Sequence, residues 1–159
     1  MMTTSVNKAT KTWLTVAAVA GGLHAAITFH WALGGQHLLW TMGTAFIAKF
    51  ATVMWILWPL GLVKAGVAFG PLWLASRGWP WAHLTRALCW IAGAILTGWG
   101  GANTLATTAV LFGLYRPAGG YDRNVMIGHA WMWDPLFVVW GVGIIGGLLT
   151  SRRSRAVRA

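Results

Sequence analysis

Residues 12–33 read TWLTVAAVAGGLHAAITFHWAL, a run uninterrupted by Asp, Glu, Lys or Arg. Lys8 and Lys11 stand just before it, and Gly34-Gly35 ends it. A helix needs about 20 apolar residues to cross a hydrocarbon core, so this stretch is long enough to span one. A barrel strand would alternate polar with apolar and stop after about 9 to 11 residues. Two lysines before an apolar run can also imitate a secretory signal. The run exceeds a signal core of about 7 to 15 residues and no small-x-small cleavage site follows, so it reads as a retained first span.

The pattern recurs along the chain. Further apolar runs cover about 50–75, 84–114 and 125–149, the last stopped by Arg152, Arg153, Arg155 and Arg158. The whole chain has 159 residues, 57% hydrophobic and only 9% charged. A soluble domain carries about 25% charged residues, so this chain has too few to cover an aqueous surface. The expected fold is all-α: a single integral membrane domain over 1–159, a bundle of four transmembrane helices.

Counting bases sets the orientation. With four spans, Lys8, Lys11, Arg77, Arg86 and the four tail arginines lie inside, against Lys49, Arg116 and Arg123 outside. Splitting 38–75 into two spans would put five bases inside and six outside, which the positive-inside rule disfavours. Both termini are therefore expected on the cytoplasmic side of the cell membrane, with 36–48 an interfacial or re-entrant segment on the outer side. Of the 12 Lys and Arg behind the formal charge of +10, Lys8, Lys11, Arg152, Arg153, Arg155 and Arg158 lie in these tails, and attraction to anionic membrane lipids accounts for the rest. No aromatic-interleaved basic face accompanies it, which argues against nucleic acid. The single Cys89 excludes an internal disulfide and a CxxC redox pair.

Thirteen tryptophans mark this as a tryptophan-rich chain. Trp13, Trp73, Trp79 and Trp81 fall near the inner boundary, and Trp31, Trp40, Trp55, Trp58, Trp131 and Trp133 near the outer one, as an aromatic belt would. Trp90, Trp99 and Trp140 lie deeper and are expected to pack. Gly66-x3-Gly70 and Gly143-x3-Gly147 are small-x3-small faces, suited to packing within the chain or to a homo-oligomer or larger complex. The third run holds Gly98-Trp99-Gly100-Gly101, where a helix either breaks or packs closely; both readings stay open.

Polar residues inside the spans are the functional candidates, because they cost free energy to place there. They are His24, His30, Lys64, His129 and Asp134, with Asn103 as an uncharged companion. At 1.5 Å rise per residue, His30 matches His129 in depth at roughly 5 to 6 Å below the outer boundary, and His24 matches Asp134 at roughly 14 Å. Asn103 and Lys64 fall at roughly 17 and 20 Å, so one pocket in the outer half could gather them all. Trp31 shares a helical face with His24, and Trp133 and Trp140 with His129, while Asp134 lies about 140° from His129 on a straight helix. Pro135 removes one helix hydrogen bond and can re-aim that turn.

Each pairing carries a chemistry and a plain alternative. His24 with Asp134 suits proton handling, or a structural hydrogen bond between helices. His30 with His129 suits axial ligation of a haem, or two imidazoles at the head-group boundary. Lys64 with Asp134 suits an intramembrane ion pair, or a snorkelling lysine. His37 and His83 fall in boundary loops. Zinc is disfavoured, because a catalytic site needs three protein ligands and no i,i+4 His pair occurs.

Gly128-His129-Ala130-Trp131-Met132-Trp133-Asp134-Pro135-Leu136-Phe137 and His24-x5-His30-Trp31-x2-Gly34-Gly35 together resemble a bacterial, often actinobacterial, family of small four-helix membrane proteins known as a domain of unknown function. That resemblance implies the four-helix fold over nearly the whole chain and brings no activity with it. The apolar character of 38–48 departs from the more polar first loop the family implies. No nucleotide loop, nucleophile elbow or metalloprotease motif is present. The expected function is a membrane protein that binds a small molecule or lipid in its polar pocket, or an accessory subunit. Two alternatives remain: a redox subunit holding haem or quinone, and a proton-coupled carrier or membrane-embedded enzyme using a His/Asp pair.

Overall fold

The computed structural model describes residues 6–156, and every element in it is helical. In order they are α1 (Lys8–Ala32), a 3-10 turn (Leu39–Met42), α2 (Thr44–Ser76), α3 (Ala82–Leu111), α4 (Arg123–Gly128), a π-helical turn (His129–Trp133) and α5 (Asp134–Ala156). Three stretches are long and apolar enough to cross a membrane: Lys8–Ala32, Met54–Ser76 and Arg123–Ser151. The last of these runs without interruption through α4, the π turn and α5.

Helix ends are set by local chemistry. Asn7 caps α1, its side chain accepting from Thr10 N at 2.7 Å. The same side chain donates to Thr150 O at 3.2 Å, and Thr10 Oγ1 meets Thr150 Oγ1 at 3.0 Å, which ties the start of α1 to the end of α5. At the other end, Gly34 takes φ +85 and the amides of Gly34 and Gly35 return to Trp31 O and His30 O, closing α1 with a left-handed glycine cap. Pro59 and Pro71 are both accommodated inside α2.

α1 packs between α2 and α5, α5 packs between α1 and α3, and α2 touches α3 at few points. Small residues set the closeness of these contacts. Gly143 lies on the backbone of Ala17, Gly147 on Leu14, Gly61 on Phe29, Gly93 on the carbonyl of Gly141, and Gly100 on the carbonyl of Asp134. Lipid tails are as apolar as Leu, so van der Waals fit of this kind, not water exclusion, holds membrane helices together. Leu14, Ala17, Ala68, Trp140, Ile144 and Leu148 are buried at the centre. A second cluster, at the end of the bundle where α1 finishes, comprises Trp31, Ala32, Leu39, Leu57 and Trp133. The outward faces carry large apolar side chains such as Trp55, Leu62, Ile95 and Leu105, as a lipid-facing surface does.

Several expectations change. The segment 36–48 divides: the 3-10 turn occupies its first part, and 44–48 is already helical as the first turns of α2. The division follows from Asp122, whose carboxylate accepts from Thr44 N and Oγ1 at 3.0 and 3.3 Å and so caps α2 from a distant part of the chain. The third run is one unbroken helix, with Gly100 at the α5 contact and Gly98 and Gly101 facing open space. Gly143 and Gly147 are taken up inside the chain against α1, whereas Gly66 and Gly70 meet nothing. Trp31 and Trp133 are core residues at 4% and 5% exposure, not belt residues, and Trp99 faces outward. Arg152, Arg153 and Arg155 fall on the last turns of α5, while Arg158 lies outside the described residues.

Candidate functional site

His24 is the hub where α1, α2 and α5 meet. From α2, Lys64 Nζ reaches Thr28 Oγ1 at 2.9 Å and His24 Nδ1 at 3.2 Å. From the end of the π-helical turn that leads into α5, the carbonyl of Trp133 lies 3.3 Å from His24 Nε2. An ammonium has donors only, so Nδ1 must accept from Lys64, and Nε2–H then donates to Trp133 O. This fixes His24 as the neutral Nε2–H tautomer. The ring also stacks on Phe137, with centroids 4.1 Å apart and planes inclined by 20°. Thr28 Oγ1 passes its own proton to His24 O at 2.8 Å, leaving its lone pairs for Lys64. His24 and Thr28 are both buried. A charge at the centre of a membrane helix costs roughly 2.5 to 3.5 kcal/mol, and this knot of neutral acceptors offsets part of that cost.

The second half of the site is the π turn. Asp134 N–H returns to His129 O, five residues back. Pro135 has no N–H to give to Trp131 O, so the regular ladder is already interrupted there and the wider turn is accommodated. The consequence is chemical: residues five apart, splayed by about 140° on a regular helix, are brought together. His129 Nδ1 lies 2.9 Å from Asp134 Oδ2. Asp134 is fully buried, while 34% of the His129 side chain is exposed. With Nδ1–H given to the carboxylate, Nε2 of His129 carries a lone pair directed away from that bond. The other carboxylate oxygen, Oδ1, is buried without a partner.

A plug covers the end of the bundle where α1 finishes and α2 begins. Trp31 Nε1 donates to His37 O at 2.8 Å, and Trp133 Nε1 to Thr41 Oγ1 at 2.9 Å, with the two indoles edge to face at 5.5 Å. Leu38, at φ 59, makes the tight turn of this plug in the left-handed region that suits glycine better.

The polar residues named from sequence thus fall into separate groups. His24, Lys64 and Trp133 come together, and so do His129 and Asp134. Lys64 takes Thr28 and His24 as its partners, not Asp134, whose carboxylate is held by His129; His24 likewise bonds the backbone of Trp133 and not the carboxylate. His30 points elsewhere, its ring 5.3 Å from that of His37 and packed on Gly35, with Nε2 buried and unpartnered. His30 and His129 therefore have different partners. Asn103 is half-buried, its backbone carbonyl accepting from Thr107 Oγ1. Among the described residues no three of His, Cys, Asp and Glu gather as a metal centre would need.

Three participants were missed. Thr28 follows His24 by one helical turn, a spacing that puts both on one face. Asp122 and Thr41 act through tertiary contacts that no local pattern announces.

Comparison with protein-family models, curated proteins and solved structures finds no match to this chain.

Proposed function

We propose that this chain is a small four-span protein of the cell membrane, with both termini cytoplasmic, that binds a lipid-soluble small molecule at the cluster around Lys64 and His24. The observation that carries the reading is the Lys64–Thr28–His24–Trp133 chain, a cation fixed between three apolar helices. Structural hydrogen bonding alone needs no charge at such a site. The fourth span would be α3, whose 30 residues pack along α5 and whose length exceeds a hydrocarbon core of about 30 Å at 1.5 Å per residue. The resemblance of the two histidine motifs to small four-helix membrane proteins belongs to this proposal and adds no activity.

The test is what travels with the protein. Organic extracts of purified wild type and of Lys64→Met are compared by mass spectrometry at equal protein. A molecule stoichiometric in the first and depleted in the second supports the reading, and identical extracts overturn it.

His129 and Asp134 favour a second reading, proton handling. A carboxylate that orients an imidazole and leaves its far nitrogen free is the arrangement of general-base pairs. Proton uptake by proteoliposomes that His129→Gln abolishes would support it.

A further inference from the structure

Charge and hydrogen-bond inventories around Lys64 do not close. The buried carboxylate of Asp134 bonds His129 and does not reach Lys64. Lys64 touches only neutral acceptors, Thr28 Oγ1 and His24 Nδ1, so its ammonium has no anion in contact. These bonds use two of its three N–H groups. A second donor is also unsatisfied nearby: Trp140 is 1% exposed and its Nε1 has no partner. The ring-fusion edge of that indole packs at Gly21, where Ala68 also packs, and its ring centroid lies 6.5 Å from that of His24, the residue that Lys64 holds. Gly21 lies one helical turn from His24 on α1, and Ala68 one turn from Lys64 on α2, so both spare donors serve the same seam between α1, α2 and α5. The seam is rich in donors and short of one anionic acceptor.

From this we infer that the seam binds the carboxylate of a single-chain, lipid-soluble acid, of the fatty-acid class. The carboxylate supplies the missing negative charge to Lys64 and accepts from Lys64 Nζ and Trp140 Nε1. Depth selects among anionic lipids. Lys64 lies 12 residues before the end of α2 at Ser76, about 18 Å of helix, and farther still from Thr44. That places it near the middle of a core about 30 Å thick, out of reach of a phospholipid head group anchored at the surface. Lys64 is half-buried, so the acid approaches from the lipid side. The inference rests on the ligand-binding reading above and narrows it to one chemistry.

The experiment uses the full chain in phosphatidylcholine nanodiscs with cis-parinaric acid as the probe, followed by energy transfer from tryptophan. Empty nanodiscs correct for partitioning into the bilayer, and parinaric acid methyl ester is the neutral control. Saturable binding of the acid is expected, at least tenfold tighter than that of the ester, and at least tenfold weaker in Lys64→Met. That substitution leaves His24 Nδ1 without a donor and can loosen the fold, so Trp140→Phe is measured beside it. The phenyl ring lacks the N–H but is also smaller than the indole at a buried site, so the acid-to-ester affinity ratio is the readout: it is expected to fall several-fold, whereas a loss of packing alone weakens acid and ester alike and leaves the ratio unchanged. Equal binding of acid and ester, or full binding by both variants, overturns the carboxylate assignment. So does competition by phosphatidylglycerol at nanodisc levels. If the acid fails while wild-type extracts still yield a Lys64-dependent neutral molecule, the carboxylate assignment falls and the ligand-binding reading stands. If neither is found, both fall.

Discussion

Nδ1 of His129 lies 2.9 Å from Oδ2 of Asp134, within a single turn of helix whose backbone bond spans five residues instead of four. The π turn and the His129–Asp134 pair depend on each other. The wide turn brings the two side chains into register, and the pair gives a buried carboxylate a partner it would otherwise lack.

Removing His129 should therefore be worse than removing both partners. His129→Ala leaves a buried carboxylate unpaired and is expected to destabilise by about 3 to 5 kcal/mol. His129→Leu combined with Asp134→Leu should recover most of that loss. Unfolding in mixed detergent micelles, read by circular dichroism, gives both values. A double variant less stable than the single one would contradict the coupling.

Thr28→Val deletes the hydroxyl that accepts from Lys64 and keeps the shape of the side chain. Interhelical hydrogen bonds in membranes average about 0.6 kcal/mol and reach about 1.7, and a loss in the upper half of that range is expected because the donor is charged. The same micellar unfolding curves measure it.

Glycines should separate into tolerant and intolerant positions. A Cβ on Gly143 would meet Ala17 N at 2.8 Å and Ala17 Cβ at 2.9 Å, so Gly143→Ala must push α1 from α5 and cost about 1 to 3 kcal/mol. Gly66→Ala meets open space and should be neutral or stabilising, since Ala favours helix over Gly by about 1 kcal/mol. If Gly66→Ala instead shifts the oligomeric state on size exclusion, the open face is a contact between chains.

Acid should act through Asp122. The backbone N–H of Thr44 holds its carboxyl below the usual carboxylate range; desolvation opposes this, and the N–H groups of Asn124 and Val125 with the Thr44 hydroxyl add to the lowering. A folded-state value below the unfolded one means the stabilisation is present above the unfolded value near 3.8 and is lost as pH falls through the depressed one. The wild type should thus lose stability relative to Asp122→Ala as the pH is taken below the unfolded value near 3.8. Thermal midpoints of both proteins above and below that value, taken as a difference, check the sign. The site is solvent-facing, so added salt should shrink the difference.

The elements were largely legible from sequence, and for one reason. A bilayer demands about 20 consecutive apolar residues per crossing, which leaves a mark in a linear string, and Lys8, Gly34-Gly35 and Ser76-Arg77-Gly78 punctuate it. The cost of burying polar groups likewise marked His24, Lys64, His129 and Asp134 as residues that need partners. Who partners whom was decided only in three dimensions. The pairing of His129 with Asp134 needed a turn that departs from 100° per residue, which periodicity assumes throughout. Lys64 met His24 and Thr28 because Gly21 and Gly61 let α1 approach α2 closely, and Asp122 capped α2 from a sequence separation of 78. Burial cost is a property of each residue and can be read one at a time. Relief of that cost belongs to pairs, and pairs are made by packing.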